Sequence, residues 1–214
     1  SSYDGANSVT TASDGSIYVA GDTFGNLDQQ TNNGYYDAFI SKYNSDGTKA
    51  WTKLLGGSSY DGANSVTTAS DGSIYVAGYT ESNLDQQTNG GGRDAFISKY
   101  NSDGTKAWTK LLGGSSYDGA NSVTTASDGS IYVAGYTESN LDQQTNGGGR
   151  DAFISKYNSD GTKAWAKLLG GYDYDYATSV TTASDGSIYV AGYTWGNIDQ
   201  QTNNGNWDAF ISKY

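Results

Sequence analysis

The chain has 214 residues, a formal net charge of −11, charged residues at 16% and no Pro, Cys, Met or His. The length suits one sizeable domain, and a Gly- and Tyr-rich, charge-poor composition is not that of a disordered chain. The acidic balance excludes the basic face a nucleic acid requires and opposes docking on anionic lipid; missing Cys excludes disulfides and thiol chemistry, and no apolar run reaches membrane-spanning length.

Residues 7–12 read as a short first strand rich in Ser, Val and Thr. Asp14-Gly15 follows, a pair that tolerates the positive φ of a tight hairpin. Residues 16–23, with Ile17-Tyr18-Val19-Ala20, form the most apolar strand. A polar loop over 24–36 leads to a third strand over 37–43. Asp46-Gly47 is a second tight turn, and residues 48–55 make the fourth strand before Gly56-Gly57 breaks it. No stretch carries apolar residues at helical spacing.

The same order then returns. The repeats are 1–57, 58–114, 115–171 and a shorter 172–214, and the second and third differ only at Thr109 against Ala166. The last copy lacks the counterpart of 44–57, and with it the fourth strand. Ile17 and Val19 point one way while Tyr18 and Ala20 point the other; Ala38 and Ile40 oppose Phe39 and Tyr43. A sheet with one wet face would alternate apolar and polar residues. Here both faces want cover, which stacking of four-stranded blades about an axis provides. The expected fold is all-β: a β-propeller, or propeller segment, of antiparallel four-stranded blades of 57 residues. That unit exceeds the roughly 40–50 residues of common blade repeats, the excess lying in the loop between strands two and three. Neither terminus supplies the missing strand, so closure within one chain stays open.

Gly56-Gly57, Asp61, Ser65-Val66, the run from Ser70 to Thr80 and the run from Asp94 to Trp108 together resemble the SBBP family of bacterial β-propeller repeats. The resemblance covers every copy. It implies extracellular or cell-surface proteins, with propellers often of about seven blades.

Both Asp-Gly hairpins fall on one end of each sheet, and the long loops fall on the other. Binding residues tend to sit on loops held by a rigid scaffold. Each loop repeats Asp-Gln-Gln-Thr-Asn, giving Asp28, Gln29, Gln30 and Asn32, then Asp85, Gln86 and Gln87, then Asp142, Gln143 and Gln144, then Asp199, Gln200 and Gln201. Amides and carboxylates can pair with sugar hydroxyls, and Phe24, Tyr35, Tyr36, Trp195 and Trp207 add rings in the end copies. The middle copies carry Glu81, Arg93, Glu138 and Arg150 at comparable places. The competing reading is that the polar run bonds its own backbone and shapes the loop. Trp51, Trp108 and Trp165 read as packing between blades.

Metal and catalytic signals are weak. Asp173 and Asp175 could share a structural calcium, but the regular oxygen spacing of a calcium loop is missing, so no cofactor is expected. Without His or Cys, the usual bases and thiol nucleophiles are absent, and the Asp residues repeat symmetrically with no unique pair for glycoside hydrolysis. An enzyme is not expected. The leading expectation is a non-catalytic scaffold or interaction module that self-associates. Its assembly edge would be the last strand, through Asp208, Phe210, Ile211 and Tyr214, since an unpaired edge invites another chain. The alternatives are a glycan-binding propeller using the long loops, and a segment excised or engineered from a longer array, which a first residue other than Met would also fit.

Overall fold

A computed structural model describes residues 3–214; Ser1 and Ser2, which open the first repeat, lie outside the described residues. Blade one is β1 (Asp4–Thr11), β2 (Ile17–Thr23), β3 (Asp37–Tyr43) and β4 (Lys49–Leu55). Blade two is β5 (Asp61–Thr68), β6 (Ile74–Thr80), β7 (Asp94–Tyr100) and β8 (Lys106–Leu112). Blade three is β9 (Asp118–Thr125), β10 (Ile131–Thr137), β11 (Asp151–Tyr157) and β12 (Lys163–Leu169). Blade four is β13 (Asp175–Thr182), β14 (Ile188–Thr194) and β15 (Asp208–Lys213). Each blade is one antiparallel sheet in chain order, with four strands in the first three and three in the last. The fold is therefore the expected all-β repeat.

The first strand begins three residues earlier than its composition suggests, at Asp4 instead of Asn7. Asp4, Gly5 and Ala6 pair with Thr23, Asp22 and Gly21 beyond a bulge between Ala6 and Ser8. The bulge turns Asn7 out of the ladder, and its amide reaches Ala63 O of the next blade at 3.0 Å. Gly21 is required opposite this bulge, because a Cβ there would lie 1.8 Å from Gly5 O. At the other end of β1 the expected tight turn forms: Gly15 has φ 80°, and Asp14 Oδ1 accepts from the Ser16 N–H at 2.8 Å. The second and fourth strands start one residue later than expected, at Ile17 and Lys49.

Blades stack through apolar faces. Tyr18, Ala20 and Ile40 of blade one share a core with Val66, Val76 and Phe96 of blade two. The same positions rebuild that core between blades two and three and between blades three and four. Trp51 belongs to the first junction, its indole N–H donating to Ser102 O of blade two at 3.3 Å. First strands of consecutive blades lie side by side, tied by Asn64 to Ala120 O and by the Val66 N–H to Ser8 Oγ. The first strand is thus the inner one and the fourth the outer one.

Candidate functional site

The long loop of each blade folds on itself. Leu27 and Gln30 bridge across Asp28 and Gln29, whose φ angles of 49° and 62° are left-handed. This is the backbone of a primed tight turn, ordinarily the place of Asn-Gly. Asp85-Gln86, Asp142-Gln143 and Asp199-Gln200 repeat it.

Most of the repeated polar groups are engaged by the chain itself. Asp28 accepts from Lys49 and Thr52 of the outer strand. The Lys49 bond first, and then the Thr52 hydroxyl, hold its carboxyl below the usual carboxylate range. Asp85 meets Lys106 at 2.6 Å, and Asp142 pairs with Lys163. Gln87 clips the edge of β8, donating to Thr109 O at 2.5 Å and accepting from the Leu111 N–H at 3.2 Å. Gln144 does the same to Ala166 and Leu168. Asn32 donates to Thr23 O at 2.9 Å and accepts from the Gly34 N–H at 2.8 Å. Gln29, Gln86, Gln143 and Gln200 stay exposed, while Gln30 is half-buried. Blade four has no fourth strand among the described residues, and Asp199 and Gln201 are exposed.

Beside these turns the blades differ. In the middle blades Glu81 pairs with Arg93 at 2.8 Å and Glu138 with Arg150 at 2.7 Å. At the same places blade one has Phe24 and Tyr36, with ring centroids 5.3 Å apart, and blade four has Trp195 and Trp207 at 5.0 Å. Tyr35 and Tyr36 stack on Tyr60 of the next blade at 5.2 and 5.7 Å. Tyr193, Trp195 and Trp207 form an exposed aromatic cluster at blade four.

Every junction also buries two carboxylates, a feature the sequence reading missed. Asp37, Asp94 and Asp151 open the third strands; Asp61, Asp118 and Asp175 open the first strands of the following blades. All six are at most 3% exposed. Burial first, and then the neighbouring carboxylate, push Asp37, Asp94 and Asp151 above the usual carboxylate range. The partners lie 24 residues apart across a copy boundary; the only sequence signal is an Asp at both strand starts.

The two end faces are the remaining candidates. Val66, Val123 and Val180 are each 5% exposed, but their counterpart Val9 is 65% exposed. Ile40, Ile97 and Ile154 are at most 2% exposed, but their counterpart Ile211 is 72% exposed. The proposed edge residues divide by alternation along β15. Phe210 and Tyr214 pack back on the core shared with blade three, whereas Ile211 points away and Asp208 is half-buried. An opening of about 270 Å³ lies beside Ile198, Asn203, Asp208, Phe210 and Ile211. At its blade-one counterpart the fourth strand of the same blade is present, Leu55 and Leu54 pairing with Ala38 and Phe39. Val9 was not anticipated: it is the counterpart of Val66 in the same motif, and the residue itself does not distinguish the two.

The Asp173 and Asp175 pair is split, Asp175 being buried and Asp173 exposed, and among the described residues no three acidic side chains gather at one point. No described helix is long and apolar enough to cross a membrane.

Residues 50–85, 107–142 and 164–199 match the SBBP β-propeller repeat. Residues 12–49, 69–106 and 126–163 match a β-propeller domain of unknown function. The chain is 28% identical over 232 residues to the regulatory protein FlaEY of Caulobacter vibrioides, covering 92% of this chain and 24% of that protein. It thus spans about a quarter of that relative's length. Among solved structures it is similar to a protein of unknown function from Bacteroides caccae, with TM-score 0.44, 13% identity and coverage of 88% of this chain and 53% of the other. It is also similar to a xylan β-1,4-xylosidase from Bacillus halodurans, with TM-score 0.41, 13% identity and coverage of 97% and 41%.

Proposed function

The chain belongs to the SBBP β-propeller repeat family, and from that premise we propose that it is a non-catalytic repeat scaffold that binds further copies of itself through its two end faces. The observation that carries this reading is the exposure of Val9 at 65% and Ile211 at 72%, at positions that are almost fully buried at every internal junction. Blade four presents the face that blades one to three present to their successors. Blade one presents the face that blades two to four present to their predecessors. Ile211 of one copy therefore meets Val9 of another as Ile40 meets Val66 within the core of the first junction. Such a contact is heterologous and adds copies head to tail, until a ring closes or a filament grows. Burying a Val or Ile side chain contributes about 1.5–3 kcal/mol. Extracellular or surface placement belongs to the same reading and rests on the family resemblance alone. The absence of catalysis rests on the missing His and Cys and on carboxylates spread evenly over the repeats.

Sedimentation velocity over a wide concentration range tests the reading. Multiples of the single-chain mass are expected, and Val9→Asp or Ile211→Asp should each restore the single chain. Mixing the two variants should give a dimer and nothing larger, because one intact face of each kind remains. A single chain at every concentration would overturn the proposal.

A second reading is favoured by the exposed ring cluster of Tyr193, Trp195 and Trp207. Rings of this kind can cover the apolar face of a sugar. A glycan array probed with folded protein and with a Trp195→Ala/Trp207→Ala variant checks it; no binding by the unaltered protein would remove it.

A further inference from the structure

Each blade junction brings two buried carboxyl groups to one point. A Cβ on Gly56 would lie 2.3 Å from Asp37 Oδ1 and 2.9 Å from Asp61 Oδ2. At Gly113 the corresponding distances are 2.4 Å to Asp94 Oδ1 and 2.8 Å to Asp118 Oδ2. At Gly170 they are 2.5 Å to Asp151 Oδ1 and 2.8 Å to Asp175 Oδ2. The same two oxygens thus converge beside the same glycine at three junctions, where no larger residue fits.

At the first two junctions the two members of the pair are not equivalent. Asp61 is surrounded by donors: the Thr80 hydroxyl, the Gly57 N–H at 2.8 Å and the Ser82 hydroxyl at 3.4 Å. Asp118 has the same set in Thr137, Gly114 and Ser139. Burial raises Asp61 and Asp118 as well, but these donors pull the other way and favour the ionised form. Asp37 accepts one bond, from the Asn33 N–H to Oδ2 at 3.1 Å. Its Oδ1, and likewise Asp94 Oδ1 and Asp151 Oδ1, is buried without a hydrogen-bond partner; at the third junction Asp175 Oδ1 is buried without one too, that carboxyl accepting from the Gly171 N–H at 2.8 Å. An orphaned buried carboxylate oxygen beside a second negative charge is costly. The cost disappears if that oxygen carries a hydrogen and donates it to the neighbour.

We propose that each blade junction binds one proton, held on Asp37, Asp94 or Asp151 and shared with Asp61, Asp118 or Asp175 of the following blade. The junction itself makes the site, since their counterparts Asp4 in blade one and Asp208 in blade four are exposed and half-buried. A divalent cation suits the shell less well. It would ask for six or more oxygen lone pairs, whereas the hydroxyls around Asp61 turn hydrogens toward it. Other charges around the first pair are Glu81 and Arg93, and these neutralise each other at 2.8 Å. Glu138 and Arg150 do so at the second, and Asp173 adds negative charge at the third. Each site therefore retains the proton against rising pH. Releasing it leaves two buried anions and weakens the contact between blades.

Carbon-13 NMR of protein labelled at the Asp carboxyl carbons, titrated with and without calcium chloride, tests this directly. Asp37→Asn, Asp94→Asn and Asp151→Asn assign the signals. Three carboxyl carbons are expected to stay protonated above the pH at which exposed Asp groups ionise, unchanged by calcium. In parallel, Tm should fall as pH rises above the ordinary carboxylate value of about 3.9, and the triple Asn variant should show a reduced slope. Should the triple variant not fold, the titration of the unaltered protein decides alone. Carbons that titrate within or below the ordinary range would overturn the proposal. So would calcium at neutral pH that shifts these carbons and raises Tm, which would make the pair a cation site.

Discussion

The Arg93 guanidinium lies 2.8 Å from the Glu81 carboxylate and 3.9 Å above the Tyr79 ring, so one half-buried cation answers both an anion and an aromatic face. The end blades replace both members together, with Phe24 and Tyr36 or with Trp195 and Trp207. A lone Glu against a lone Trp would leave a half-buried charge unanswered, so the two positions change as a unit. Arg93→Ala should cost about 1–2 kcal/mol, between the values for exposed and buried pairs, with a further contribution from the lost ring contact. The double change Glu81→Trp/Arg93→Trp should cost less than the sum of its single changes. Urea denaturation of the four proteins supplies the cycle; strictly additive costs would mean the positions are independent.

The repeat makes a controlled comparison of one residue type in two surroundings. Val66 is packed in the first junction and Val9 is open. Val66→Ala should lose about 1–3 kcal/mol through lost burial and an incompletely filled space. Val9→Ala should be nearly neutral in the dissociated chain and costly only in the assembled one. Equal losses at high dilution would contradict the burial difference.

Gly78 faces the bulge of β5, where a Cβ would lie 1.9 Å from Gly62 O. Relief would require the first two strands of the blade to separate. Gly78→Ala should therefore cost at least about 1–3 kcal/mol, the range for overpacked cores, while Gly72→Ala, with open space around it but φ of 82°, should cost about 1 kcal/mol from backbone strain alone. Thermal unfolding separates the two, and a tolerated Gly78→Ala would mean the bulge is plastic.

The blades were legible because their signals are local. Ile17 to Ala20 is apolar on both faces, and Asp14-Gly15 and Asp46-Gly47 mark turns whose glycines do take positive φ. The bulge was not legible: nothing in Asp4 to Ser8 distinguishes an extra residue from a regular strand. Nor was the turn at Asp28-Gln29, because left-handed backbone at two residues that are not Gly has no compositional mark. Asp37 and Asp61 meet only after two copies stack, and Val9 and Val66 are the same residue in the same motif. Their difference lies in the neighbour, which no single repeat encodes.

Gln87 shows how a motif that reads as ligand-binding acts on the scaffold. Its amide holds the Thr109 carbonyl and the Leu111 N–H of the outer strand. Gln87→Ala should lose about 1–2 kcal/mol, with two backbone groups left to solvent, and should speed hydrogen exchange at Leu111 more than at Val76. Gln86→Ala, at an exposed neighbour, should change neither. Unchanged exchange at Leu111 would mean the clip does not hold β8.

Stability should peak on the acid side of neutrality, because two sets of carboxylates act in opposite directions. Asp46, Asp103 and Asp160 lie in exposed turns, and the hydroxyls of Thr48, Thr105 and Thr162, followed by their N–H groups, hold these carboxyls below the usual range. A depressed folded-state pKa gives stability that is present above the unfolded value of about 3.9 and lost as pH falls. Asp37, Asp94 and Asp151 are raised by burial first and then by the adjacent carboxylate, and burial raises Asp61, Asp118 and Asp175 as well. Their contribution is full below the unfolded value and is lost as pH rises through the folded one. Changing Thr48, Thr105 and Thr162 to Val removes the hydroxyl but keeps the N–H, so it should soften the acid limb and leave the alkaline limb intact. Changing Asp37, Asp94 and Asp151 to Asn should reduce the alkaline limb and leave the acid limb intact. Urea denaturation across the pH range reads both limbs, and a stability that climbs steadily from mildly acid to alkaline pH would contradict the raised set.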